Sequence, residues 1–286
     1  MIIDARLAIA AQNQLGEGPI WHPGRNQLLW VDINACQLFI AEITDDDGHV
    51  VGMHQFEDSC SAIALVDESR VVVAIGTSLF LVSIGTGASE HLIDLDADAV
   101  RLRSNDGRVD RKGGFWISTM GRQAEIGAGA VYRYHRGRLS KLFDGLTIPN
   151  SICFSPDGST AYLCDGGTGE MMKCPLDAAT GLPSGSLTTF HSVEKPEEPD
   201  GSVVDAQGCL WNARWAGGRV VRLSPQGEII EEIRIPALRP TCPAFVGGKM
   251  DKLAITTANM AADDQGGGLY LASLAVEGIA ESYLDL

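Results

Sequence analysis

Four short turn segments of the 286-residue chain place polar side chains just before a short apolar strand. They are "LGEGPIW" with Glu17, "RSNDGRVD" with Arg103 and Asn105, "IPNSICFSPDG" with Asn150, and "EEPDGSVVD" with Asp200. Two carboxylates and an amide oxygen are hard donors that suit a divalent cation when they converge. Taken singly, each segment also fits an ordinary β-turn. The chemistry therefore depends on whether the fold brings the segments together.

The elements that must position these residues are short strands that recur along the whole chain. Their apolar or aromatic centres lie about 40–50 residues apart, which is the spacing of β-propeller blades. Six such centres are Trp30, Val72, Trp116, Tyr162, Trp211 and Leu253. We therefore predict an all-β fold, a six-bladed β-propeller with four-stranded blades around a central channel, forming a single domain over residues 1–286. Two separate sandwiches are the competing interpretation, but the continuous period disfavours a boundary.

The propeller prediction changes the meaning of the four polar segments. Loops between blades meet at one face, so residues far apart in sequence can share one site. Each segment precedes the place where the innermost strand of a blade is expected to begin. Glu17, Asn105, Asn150 and Asp200 are therefore expected to be neighbours beside the channel.

The composition of the chain limits the classes of binding partner and the cellular compartment that we expect. The formal net charge of −15 disfavours nucleic acid and anionic membrane surfaces, because both are polyanions. No apolar run approaches the roughly 18–20 residues of a membrane helix, and the N-terminal segment lacks a signal-peptide pattern. The seven cysteines form no Cys-x-x-Cys pair, and several lie in apolar strand-like runs. We expect a cytoplasmic protein that binds neither nucleic acid nor membrane.

The ordered motifs resemble the SMP-30/gluconolactonase/regucalcin-like family along essentially the whole chain. The resemblance rests on "LGEGPIW", "RSNDGRVDRKGGFWISTM", "IPNSICFSPDGSTAYLCDG" and "EPDGSVVDAQGCLWNARWAGGRVVRLSPQG". Family members are six-bladed propellers, and many are metal-dependent sugar lactonases. The resemblance implies that Glu17, Asn150 and Asp200 bind one divalent metal ion, with Ca²⁺, Zn²⁺, Mn²⁺ and Fe²⁺ all compatible. It also implies Arg103 and Asn105 as substrate contacts, and Asp200 as general base or nucleophile.

One segment departs from the family pattern. Members often carry an acidic residue shortly after a Thr-Met pair, where it contacts substrate hydroxyls. Here Thr119 and Met120 are followed by Gly-Arg-Gln, and the first acid is Glu125. The arginine of this run, Arg122, is a candidate contact for a substrate with an additional anionic group. A solvated loop charge is the alternative interpretation of Arg122.

Other catalytic and metal-binding signatures are absent from the sequence. It contains no Gly-x-Ser-x-Gly, His-Glu-x-x-His, phosphate-loop or dinucleotide-binding motif. The run "TDDDGHV" (44–50) predicts a hairpin turn, because Phe56 occupies the position where a calcium loop has glutamate. His22 is interpreted as a turn or packing residue. The run "EKPEEPD" (194–200) is interpreted as mostly a solvated loop, with only Asp200 in the site.

The resemblance favours a metal-dependent hydrolase that opens a small sugar-acid lactone to the aldonic acid in carbohydrate catabolism. A propeller that binds metal or ligand without catalysis is the alternative, since this fold also hosts binding proteins. A hydrolase of the same fold acting on phosphotriesters or other esters is a third hypothesis. A closed propeller leaves few exposed sheet edges, so a monomer or small homo-oligomer is expected.

Overall fold

The protein is built from short β-strands joined by turns. The structure, a computed structural model, describes residues 2–45, 47–96, 100–260 and 265–286. These residues form 25 strands, and no helix occurs among them. Within these ranges there is accordingly no helix long and apolar enough to cross a membrane.

Six sheets contain all the strands. The chain begins with β1 (Ile2–Asp4) and β2 (Arg6–Ile9), which join sheets completed later in the chain. Four sheets are four-stranded meanders in chain order. They are β3 (Gly16–His22), β4 (Gln27–Asp32), β5 (Gln37–Ile43), β6 (Gly48–Gln55); β7 (Cys60–Leu65), β8 (Arg70–Ile75), β9 (Ser78–Ser83), β10 (Ser89–Asp94); β11 (Leu102–Val109), β12 (Phe115–Gly121), β13 (Gly129–His135), β14 (Arg138–Leu146); and β15 (Pro149–Phe154), β16 (Thr160–Asp165), β17 (Glu170–Pro175), β18 (Thr188–Ser192).

The last two sheets use the N-terminal strands. The fifth contains β19 (Glu198–Val204), β20 (Leu210–Trp215), β21 (Arg219–Leu223) and β22 (Ile229–Arg234), with β1 added in parallel to β22. The sixth contains β23 (Pro240–Val246), β24 (Lys252–Thr257) and β25 (Leu269–Ser273), and β2 is its fourth strand. A sheet made from both ends of the chain closes the ring of blades and removes an open edge.

One edge strand of each sheet lies at the centre of the molecule. These innermost strands, β3, β7, β11, β15, β19 and β23, each contact the next, and β23 contacts β3. The ring they form confirms the predicted six-bladed all-β propeller. The six strand centres predicted from the sequence all lie on second strands of the blades, from Trp30 in β4 to Leu253 in β24.

Buried aspartates tie the turns of two blades to their tryptophans. The indole N–H of Trp116 donates to Asp110 at 3.0 Å, and that of Trp211 donates to Asp205 at 3.1 Å. Each carboxylate also accepts backbone N–H groups of its turn and the guanidinium of an arginine on the third strand. The shared arrangement reflects the sequence repeat, since the same turn and strand chemistry recurs in equivalent places.

The C-terminal segment crosses the channel end at which the innermost strands finish. The backbone N–H of Leu284 donates to the carbonyl of Leu65, the last residue of β7, at 2.7 Å. Glu281 of the same segment forms a salt bridge with Arg108 near the end of β11. The segment therefore covers one end of the channel, and the opposite end is where the innermost strands begin.

Two local predictions agree with the structure. Segment 44–50 connects β5 to β6, with the Thr44 N–H donating to the Asp47 carbonyl at 2.9 Å, so the hairpin turn is confirmed; Asp46 lies outside the described residues. His22 is fully buried at the end of β3, and its Nε2 lies 2.9 Å from the Asp67 carbonyl oxygen, which confirms a packing role. All seven cysteines are free thiols.

Candidate metal and substrate site

The polar residues singled out in the sequence lie at the beginnings of innermost strands. Glu17, Arg103 and Asn150 are the second residues of β3, β11 and β15, and Asp200 is the third residue of β19. In each of these strands the pairing register with the second strand shifts at or just after these residues. Such β-bulges redirect side chains and are common beside functional sites. The repeated bulge explains why equivalent positions in different blades point to one place.

Glycine follows each of the two carboxylate residues for a steric reason. Gly18 has φ of +53°, and a Cβ there would lie 3.0 Å from the carbonyl oxygen of Ser61. At Gly201 a Cβ would lie 2.4 Å from the sulfur of Cys242 on the neighbouring blade. The acid–glycine pairs in the sequence thus allow the innermost strands to approach one another closely.

These side chains line one cavity of about 230 Å³ at the channel end where the innermost strands begin. Glu17, Asn105, Asn150 and Asp200 are all buried, each less than a tenth exposed. Among the described residues the lining is Leu15, Glu17, Ile33, Arg103, Asn105, Met120, Ile148, Asn150, Gly166, Glu198, Pro199, Asp200 and Trp215. The structure therefore brings together five of the six residues selected from the sequence, although up to four blades separate them along the chain.

Hydrogen bonds hold the Asn150–Asp200 part of the site in place. The Asn150 amide donates to the Asp200 carboxylate, and the Asn150 amide oxygen accepts the Ser151 N–H at 2.9 Å. The backbone carbonyl of Asp200 accepts from the hydroxyl of Ser151 and from the amide of Asn212. Neighbouring blades are thus locked together at the position of these two side chains.

The site concentrates buried negative charge. Burial, together with the nearby Asp106 carboxylate, raises the pKa of Glu17 to about 8. Burial and repulsion from Glu17 raise the pKa of Asp200 well above its usual value, and burial also raises the pKa of Asp106. Burial lowers the pKa of Arg103 to about 10, which leaves this guanidinium charged at neutral pH. Several buried carboxylates in a small volume favour a bound cation.

The donor set is compatible with a divalent metal ion. Two carboxylates and one amide oxygen suit a hard cation and leave further coordination positions for water or substrate. Across the described ranges, no group of three or more His, Cys, Asp or Glu side chains is placed to hold a metal ion; the third candidate ligand here is an asparagine, which is outside that set. The nearby carboxylate of Asp106 accepts the backbone N–H of Ile152 at 2.6 Å and so braces the strand that carries Asn150.

Arg103 and Asn105 form a fixed pair on the wall of the cavity. Nη1 of Arg103 donates to the Asn105 side-chain oxygen and to the Ser104 carbonyl, both at 2.8 Å. The Asn105 amide donates to the carbonyl of Pro149 at 3.1 Å. This bracing presents a positive charge and an amide close to the carboxylates without the side chains having to move.

Arg122 lies beside the cavity and is not one of its lining residues. Its guanidinium makes a bidentate ion pair with Asp58, with N–O distances of 3.1 and 2.7 Å. The Arg122 side chain is 30% exposed. It is close enough for its charge to contribute to lowering the pKa of Arg103, so it adds positive potential at this edge of the site.

Two supporting aspartates were not singled out from the sequence. Asp32 accepts the backbone N–H of Leu15 at 3.1 Å, and Asp165 accepts that of Ile148 at 2.9 Å. Leu15 and Ile148 each lie two residues before a candidate metal ligand. The sequence could have indicated both aspartates, because an aspartate ends the second strand of the blade in both "LLWVD" and "AYLCD".

The interpretation of 194–200 as mostly a solvated loop was wrong for its last residues. Glu198 begins β19, pairs across the sheet with Trp215, and lines the cavity together with Pro199. The pairing arises because the start of an innermost strand lies opposite the end of the second strand. Neither Glu198 nor Trp215 was recognised as a cavity residue from the sequence.

Comparisons with known proteins agree with this architecture. The sequence matches the family described as SMP-30/Gluconolactonase/LRE-like region over residues 15–259. An L-arabinolactonase of Azospirillum brasilense is 32% identical over 96% of this chain and 94% of its own. A 6-deoxy-6-sulfogluconolactonase of Pseudomonas putida is 31% identical over 85% of this chain and 83% of its own. A solved structure of a calcium-binding protein, regucalcin, from Agrobacterium tumefaciens has a TM-score of 0.93 and 36% identity, covering 100% of this chain and 99% of that one. The chain therefore belongs to the SMP-30/gluconolactonase/LRE-like family.

Proposed function

We propose that this protein hydrolyses a sugar-acid lactone with the help of one divalent metal ion. The observation that carries the proposal is the convergence of oxygen donors and a charged substrate contact in one cavity. The related L-arabinolactonase and 6-deoxy-6-sulfogluconolactonase support the reaction class and the involvement of sugar metabolism. The calcium-binding regucalcin of similar fold supports a divalent cation.

Glu17, Asn150 and Asp200 are the proposed metal ligands. When bound, a divalent ion would polarise the lactone carbonyl and make a nearby water more acidic. The donor set is compatible with Ca²⁺, Zn²⁺, Mn²⁺ or Fe²⁺, and the supply of metal in the cell often decides among such ions.

Asp200 is the proposed catalytic carboxylate. In one route it takes a proton from the water whose oxygen attacks the carbonyl carbon. In the other its own oxygen attacks that carbon, and water then hydrolyses the mixed anhydride formed. In both routes the bond between the carbonyl carbon and the ring oxygen breaks, and the ring oxygen takes up a proton. The product is the open-chain hydroxy acid.

Arg103 and Asn105 are the proposed substrate contacts. Their mutual hydrogen bond fixes both groups before substrate arrives, which reduces the entropy cost of orienting it. The Arg103 guanidinium is suited to stabilise the negative charge that develops on the carbonyl oxygen. Arg122, held by Asp58 beside the cavity, is proposed to attract an additional anionic group on the substrate.

A metal-binding or ligand-binding propeller without catalysis is the second candidate function. The fixed Arg103–Asn105 pair favours the enzyme, because a cation site alone does not need such a clamp. Hydrolysis of phosphotriesters or other esters in the same cavity is a third candidate. The seven free cysteines support our proposal of a reducing, cytoplasmic compartment.

A hydrolysis assay with a pH indicator tests the proposal. Metal-stripped protein is offered aldonolactones, including one with an additional acid group, and single divalent ions are returned. Turnover above the spontaneous rate that returns with metal is the expected result. Metal binding without turnover of any lactone would instead favour the binding protein, and turnover of a phosphotriester alone would favour the third candidate.

A further inference from the structure

Of the acidic residues that line the cavity in the described part of the chain, Glu198 alone is not used by the proposed metal site. Its side chain is 32% exposed, and its Oε1 accepts from the ammonium group of Lys195 at 2.5 Å. The Glu198 carboxylate is close enough to Asp200 to contribute to the raised pKa of that group. The Glu198 carboxylate therefore lies at the solvent-exposed edge of the cavity, near the proposed catalytic carboxylate of Asp200.

Trp215 lies directly opposite Glu198 in the sheet and also lines the cavity. The guanidinium carbon of Arg239 lies 5.7 Å from the centre of the Trp215 ring, within the range of a cation–π contact. This contact restrains the indole, so that a rigid aromatic surface is available next to a carboxylate.

The wall that carries Glu198 and Trp215 belongs to the fifth blade. Arg103 and Asn105 belong to the third blade, and the fourth blade with Asn150 lies between them. A small ring bound in the cavity would therefore face different groups on two sides: the Arg103 guanidinium and the Asn105 amide on one, and the Glu198 carboxylate and the Trp215 indole on the other.

We propose that Glu198 and Trp215 form the wall that selects a polyhydroxylated lactone. The carboxylate accepts hydrogen bonds from sugar hydroxyls, and the indole covers a C–H face of the molecule. Charge-assisted hydrogen bonds of this kind are directional, whereas aromatic contact adds apolar area at little entropic cost. Glu198 thereby supplies a carboxylate acceptor for hydroxyl groups, whereas the residues directly after Met120 offer no carboxylate before Glu125 and Arg122 there is paired with Asp58. This inference rests on the proposed lactonase function, and it assigns the specificity of that site.

The first test compares kcat/KM for gluconolactone and for δ-valerolactone, which lacks the hydroxyls. In Glu198→Ala, kcat/KM for gluconolactone divided by kcat/KM for δ-valerolactone is expected to fall by about tenfold, which is the effect of losing one charge-assisted hydrogen bond. The loss should appear mainly as a higher KM for gluconolactone. Glu198→Gln, which keeps an acceptor oxygen, should recover part of the ratio. Glu194→Ala, an exposed carboxylate in the preceding loop, is the matched control.

The second test does not need catalysis. Sorbitol binding is followed by tryptophan fluorescence in the metal-loaded protein, and Trp215→Phe assigns the signal to that indole. Sorbitol affinity is expected to fall about tenfold in Glu198→Ala and to be unchanged in Glu194→Ala. Sorbitol binding that depends on Glu198, in protein that hydrolyses no lactone, would refute the proposed function while supporting the wall. An unchanged substrate ratio and unchanged sorbitol affinity in Glu198→Ala, in an active enzyme, would overturn the inference.

Discussion

Replacing Glu281 by alanine should destabilise the protein substantially although this residue lies far from the proposed site. The side chains of Arg108 and Glu281 are only 12% and 9% exposed. Burial alone would lower the pKa of Arg108. The charge of Glu281, together with other nearby groups, outweighs the effect of burial, so the pKa of Arg108 is raised. Without the carboxylate, a charged guanidinium stays buried with a single carbonyl acceptor, that of Ser202 at 3.1 Å, among its described hydrogen bonds.

The expected size follows from the cost of an uncompensated buried charge. Removing one partner of a buried ion pair costs about 3–5 kcal/mol of unfolding free energy. For a chain of this length, roughly 2 °C of melting temperature is lost per kcal/mol, so a decrease of about 6–10 °C is expected. The loss adds to the weakening of the C-terminal segment, which covers this end of the channel.

Urea unfolding followed by tryptophan fluorescence measures the change, with thermal melting as the second readout. Glu277→Ala, an exposed carboxylate on the same segment, is the control and should change the free energy by less than about 0.5 kcal/mol. The double variant Arg108→Met with Glu281→Leu should be more stable than Glu281→Ala, because no charge remains to be solvated. If Glu281→Ala unfolds within about 1 kcal/mol of the unmodified protein, the reasoning about this buried pair is refuted.

Three further outcomes test the candidate site. A saturating divalent ion, at about 100 times its dissociation constant, should stabilise the protein by about 2.7 kcal/mol, and Asp200→Asn should remove most of this shift in a thermal melt. Gly201→Ala should cost about 1–3 kcal/mol in urea unfolding, because the new methyl group would lie against Cys242; stability equal to that of the unmodified protein would contradict the close approach. Asp165→Ala should release the backbone before Asn150 and weaken metal affinity in calorimetry by about tenfold while the far-ultraviolet spectrum stays the same.

The strand repeat and the polar side chains that begin the innermost strands were both predictable from the sequence. Turn residues and apolar strand centres act locally, so their period can be read without knowing which strands contact each other. The period in turn implied that Glu17, Asn105, Asn150 and Asp200 share one end of a channel. The cavity that these side chains line agrees with this expectation.

Contacts between blades could not be derived in the same way. Three such contacts join residues that are far apart in the sequence. They are the bidentate ion pair of Arg122 with Asp58, the hydrogen bond from Ile152 to Asp106, and the salt bridge of Arg108 with Glu281.

Glu198 and Trp215 lie side by side in the cavity wall because their strands pair within one sheet, and this pairing could not be read from the sequence. A turn-like sequence such as "EKPEEPD" does not reveal that its last residues enter a strand, because strand pairing is decided by the partner strand as well as by local preference. The sequence by itself therefore determined the fold and the set of candidate ligands. The tertiary structure decided which further side chains surround them, because the sheet register and the packing of neighbouring blades set those distances.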